Sequence, residues 1–113
     1  MKSETEDLIR ELVTAEHFVR TRSRPNWADA LLTYQQFMQQ AEFQRLKYLW
    51  RVFAPTCAWD DLSASLPPAD AQQATQIGES VFQAVERLRV ALGMDPRNWT
   101  YDDSPAQKTT NVA

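Results

Sequence analysis

Glycine is nearly missing from this chain, with two in 113 residues. A sheet protein needs frequent tight turns, and many of those turns rely on glycine. The scarcity therefore argues against an all-β fold. Gly78 and Gly93 also stand apart from each other, so there is no glycine-rich loop to cradle phosphate. Cysteine is reduced to Cys57, which excludes an internal disulfide and any thiolate metal set. Its expected role is that of a small apolar filler after Pro55, and a cytoplasmic location is the matching expectation. Histidine is reduced to His17. No HExxH, GxSxG or CxxC pattern accompanies it, so neither a metal site nor a nucleophile–base pair is legible.

Long apolar runs are missing as well. The most apolar stretch, Lys47 to Trp59, is broken by Arg51 and Pro55, well short of the roughly 18 residues that signal a membrane span. The opening MKSETED is polar and acidic, without the apolar centre of a signal peptide. No internal repeat is present. Asp60 and Asp61 are adjacent, but one carboxylate pair supplies too few ligands for a cation. The expectation is a protein that is not an enzyme, with no cofactor and no metal.

What is present is helical. Hydrophobic residues make up 43% and charged residues 24%, an ordinary globular balance. The length suits a single domain with one modest core. Proline falls at segment boundaries, and the periodicity between them predicts helices over about 3–22, 25–54 and 70–92. In the first, Leu8, Leu12, Ala15 and Val19 line one face. Ser3 with Glu6 fits a capping box. His17 projects away from that face. In the third, Ala71, Ala74, Ile77, Gly78, Val81, Val85, Leu88 and Leu92 form the stripe. Asp70 with Gln73 suggests another capping box, and Gly93 followed by Pro96 is a helix stop. Gly78 within the stripe implies close approach by an aromatic side chain, expected from the second helix.

The second predicted helix, 25–54, holds seven of the twelve aromatic residues. At 1.5 Å per residue it would reach roughly 40 Å. Its N-cap is expected at Ser23 or Asn26. Trp27, Ala30, Leu31, Tyr34, Met38, Ala41, Tyr48, Leu49 and Val52 form the predicted core stripe. Leu32, Phe43, Leu46 and Trp50 form a second apolar ridge beside it. Two ridges mean either contact with both other helices or a surface for a partner protein. Arg45 falls in the middle of the core stripe, where an unpaired charge is costly. A kink near 39–42 would change the phase and move it outward.

Net charge is −3 overall, which disfavours a dedicated DNA binder. Its distribution is uneven. Residues 23–55 carry four basic and two acidic groups, for +2, whereas residues 56–94 carry two basic and five acidic, for −3. Arg20, Arg22, Arg24, Arg45, Lys47 and Arg51 are the candidates for contact with nucleic acid or an acidic partner.

Residues 56–69 are read as a connection with one short turn or helix through Trp59 and Leu62. Residues 95–113 are read as a weakly ordered tail in which Trp99 folds back, with Tyr101 a further docking candidate. The predicted fold is all-α: a three-helix bundle of residues 1–94 built on the long 25–54 helix. The expected function is non-enzymatic protein–protein interaction, as a small accessory subunit, adaptor or inhibitor of a larger assembly. The apolar ridge would meet another protein or a second copy of the chain. The alternative is a small subunit or inhibitor of a nucleic-acid-handling complex, acting through the basic patch or the acidic surface.

Overall fold

The computed structural model describes residues 2–99, and every regular element among them is helical. Five α-helices form: α1 (Lys2–Thr21), α2 (Pro25–Gln39), α3 (Leu46–Phe53), α4 (Ala58–Ala64) and α5 (Pro68–Leu92). Short 3-10 turns cover Phe43–Arg45 and Pro96–Asn98. No helix among the described residues is long and apolar enough to cross a membrane. Tyr101 and the rest of the predicted tail beyond Trp99 lie outside the described residues.

The predicted single helix over 25–54 does not form. α2 stops at Gln39, and the chain restarts as a 3-10 turn before α3. The stop is a Schellman motif: Glu42 N–H donates to the Phe37 carbonyl at 2.9 Å and Ala41 N–H to the Met38 carbonyl at 3.1 Å. Ala41 takes the left-handed conformation at φ 57° that the motif requires. The same arrangement ends α1, with Arg24 N–H on Val19, Ser23 N–H on Arg20 and Ser23 at φ 61°. It also ends α5, where Met94 N–H bonds Arg89, Gly93 N–H bonds Val90, and Gly93 sits at φ 70°. Only the last of these stops uses glycine.

The break falls where the kink was expected, and it has the expected consequence. Arg45 is exposed rather than buried, with its guanidinium 4.9 Å from the Phe37 ring centre. The buried face lies between the two predicted ridges. Ala28, Leu31, Gln35 and Met38 are buried on α2, and Leu46, Leu49 and Phe53 on α3. Ala30, Ala41 and Tyr48, expected in the core, are exposed.

Packing is organised around α1 and α5 together, not around the 25–54 segment. α1 packs against both α2 and α5, while α3 and α4 pack against α5 and each other. A bundle organised around one long second helix is therefore not what the chain builds. Its α1 face of Leu8, Leu12, Ala15, Phe18 and Val19 is buried, as the periodicity requires. On α5 the buried residues are Ala74, Gly78, Val81, Ala84, Val85 and Leu88.

The predicted caps are replaced by other devices. Ser3 lies inside α1, so it is not the cap. α2 begins with Pro25 at its first turn, and its N-cap residue is Arg24. α5 begins at Pro68, which places Asp70 within the first turn. Asp70 and Gln73 instead accept from the Arg22 guanidinium, at 3.0 and 3.3 Å. These bonds tie the end of α1 to the start of α5.

Candidate interaction surfaces

The four ridge residues separate once folded. Leu46 is completely buried and closed to any partner in this conformation. Trp50 is half-buried against Phe82 and Trp99, with ring centres 5.8 and 5.9 Å away, and its indole donates to Glu86 at 2.8 Å. Phe43 is partly buried against the core. Leu32 alone of the four is exposed. The ridge is thus largely core, because α5 and the fold-back at Trp99 cover the side of α3 that the sequence left open. Trp99 is buried, and its carbonyl accepts from Arg51 at 2.8 Å.

The six basic residues do not converge on one patch. Arg20 pairs with Glu16 at 2.9 Å and lies 3.7 Å from Asp29. Arg22 is held by Asp70 and covers the Phe18 ring at 4.0 Å. Arg24 is half-buried at the start of α2. Arg45, Lys47 and Arg51 belong to the α3 region, where Lys47 and Arg51 flank the Tyr48 ring. Arg20, Arg22 and Arg51 are therefore engaged with internal carboxylates or a carbonyl.

His17 is exposed on α1 and Cys57 is partly buried without a disulfide partner. Asp60 accepts the Thr56 backbone N–H at 2.6 Å, which fixes the turn into α4. No group of three or more His, Cys, Asp or Glu among the described residues is placed to hold a metal ion.

A groove of about 650 Å³ lies between α5 and the α3–α4 corner. Phe53 and Pro55 form one wall, and Gly78 and Phe82 provide the apolar part of α5. Thr75, Gly78, Glu79, Phe82, Gln83 and Glu86 follow one another at helical spacing along α5, so they share a single face about three turns long. Periodicity alone does not mark this face, since Glu79, Gln83 and Glu86 lie outside the apolar stripe of the helix. The available signal was Phe82, an aromatic residue one position beyond the core stripe and one turn from Gly78.

Asp60, Glu79 and Glu86 bring carboxylates to the groove, and Arg87 a guanidinium at one end. Glu86 is the most constrained. Its two oxygens accept from Arg89 at 2.8 Å each, and one also accepts from Trp50. The bond to Arg89, followed by that to Trp50, holds its carboxyl below the ordinary glutamate range despite partial desolvation.

Comparison of the chain with known protein families, with curated proteins and with solved structures finds no match.

Proposed function

We propose that this protein is a non-enzymatic interaction module, a small accessory subunit, adaptor or inhibitor of a larger assembly. It holds its partner in the groove between α5 and the α3–α4 corner. The observation that carries this reading is the groove itself, where half-buried Phe82 and exposed Pro55 offer apolar surface above buried Phe53 and Gly78, with carboxylates at the margin. Concave apolar surfaces with a few polar groups at the margin are where partners dock. The proposal moves the contact away from the Leu32–Phe43–Leu46–Trp50 ridge, whose central members are packed inside. The nucleic-acid reading has less support, since the cations it would use are divided between the α1–α2 corner and α3.

Site-specific photo-crosslinking in the native cells tests the proposal. A photoreactive residue at exposed Gln83, beside the groove, should give one discrete adduct of higher mass. The same residue at exposed His17, on α1, should not. Adducts from both positions alike, or from neither, would remove the groove as the contact surface.

A further inference from the structure

We infer that the occupant of the groove is a basic amphipathic helix supplied by another protein. This inference rests on the interaction reading above and adds the chemistry of the partner. The shape argument comes from α5. Its groove-facing residues run from Thr75 to Arg87 on one helical face, so the trough is roughly 18 Å long and straight at 1.5 Å per residue. A second helix laid along it presents its apolar face to Phe82 and the Phe53–Pro55 wall and its flanks to the polar residues of the same α5 face. Phe82 is the half-buried apolar side chain of that face, while the space beside Gly78 is already filled by Trp59. One or two large apolar side chains of the ligand would pack on Phe82 and on exposed Pro55 of the opposite wall.

The charge argument fixes the flanks of the ligand. Asp60 from α4 and Glu79 from α5 are exposed carboxylates on different elements that line the same trough. Residues 56–94, which contain α4 and α5, carry five acidic and two basic groups. Lysine or arginine flanking the ligand's apolar stripe would therefore meet opposite charge on both sides, which speeds encounter and fixes register. Arg87 stands at the far end of the trough and disfavours a cation there, which sets the direction in which a charged helix lies. The chain's own C-terminal residues make a poor ligand on the same ground: Asp102 and Asp103 outnumber Lys108.

The test uses the full chain and labelled peptides of about 14 residues, a length suited to helix-in-groove binding. One peptide has leucines on one face with lysines flanking them. A second has glutamates in place of the lysines, and a third scrambles the first. Fluorescence anisotropy should show binding of the lysine helix, weakening with added salt, and none of the other two. Glu79→Lys and Gln83→Lys alter exposed positions, so the helical circular dichroism should be retained. Each should weaken binding by about tenfold, and Arg87→Glu should strengthen it. Equal binding of the acidic helix, or binding indifferent to Glu79→Lys, would overturn the inference. So would a concentration-dependent dimer that Glu79→Lys dissolves, since that would assign the groove to a second copy. If the lysine helix fails to bind while Gln83 still gives a discrete crosslink, the interaction reading stands and the basic-helix inference falls. If both fail, both readings fall.

Discussion

The indole of Trp59 occupies the space that a side chain at Gly78 would need. A Cβ built there would overlap both Cδ1 and Nε1 of the ring. The ring has little freedom to retreat. Trp59 is buried, its Nε1 donates to the Ala74 carbonyl at 2.7 Å, and Phe53 and Trp27 pack on it at 4.9 and 5.5 Å between ring centres. The aromatic approach expected at Gly78 is real, but it comes from α4, in the segment read as a connection.

Gly78→Ala should accordingly destabilise the protein even though alanine is the better helix former. Propensity favours the change by about 1 kcal/mol, while overpacking against a fixed ring costs about 1–3 kcal/mol. The net expectation is a loss of up to about 2 kcal/mol, read as a lower urea midpoint with unchanged slope. A rise in stability would show that Trp59 shifts readily.

Leu46 and Leu32 should respond in opposite ways to substitution, though both belonged to one predicted ridge. Leu46 is fully buried, so Leu46→Ala should cost about 2–5 kcal/mol. Leu32 is exposed, so Leu32→Ala should change stability by no more than about 0.5 kcal/mol. Thermal unfolding of the two variants separates them, and equal losses would contradict the burial described for α2 and α3.

Ala41→Gly should stabilise the protein. Alanine at φ 57° has the left-handed conformation that costs an L-residue about 1–2 kcal/mol. Glycine avoids that cost but gives back part of it in unfolded-state entropy. A gain of about 0.5–1 kcal/mol in urea unfolding is expected. A loss would mean that residues 39–42 prefer to continue the helix.

Acid should weaken the protein through Glu16 and Glu86. The Glu16 carboxyl is held below its ordinary value, first by the amide of buried Gln35, which donates to it at 2.9 Å, and then by Arg20. Glu86 is held low by Arg89 and Trp50. A carboxyl whose folded value lies below its unfolded one binds more protons when unfolded. Its stabilisation is therefore complete above the unfolded value and is lost as pH falls through the lowered one. Glu16→Gln should lower stability at neutral pH by about 1–2 kcal/mol and flatten the acid limb of the stability–pH curve. An acid limb unchanged by this substitution would contradict the assignment.

Much of the helical core was legible because it depends on local periodicity. The buried faces of α1 and α5, the stop at Gly93 and the return of Trp99 all follow from residue spacing and the cost of leaving large apolar groups in water. The end of α2 was harder to place. A Schellman stop is normally announced by glycine or asparagine, and here alanine fills the position. The groove was less legible still, because one wall comes from Phe53, Pro55 and Asp60, far in sequence from Gly78 and Phe82.

The sequence by itself determined that the chain is helical, where most of its apolar faces lie, and that disulfide and glycine-loop chemistry is absent from it. Tertiary structure decided which helices organise the packing, which ridge residues are closed and where an open apolar surface remains. The reason is physical. Periodicity assigns a side chain to a face of its own helix, but only the neighbouring helices determine whether that face is covered. For Leu46 it is, and beside Phe82 it is not.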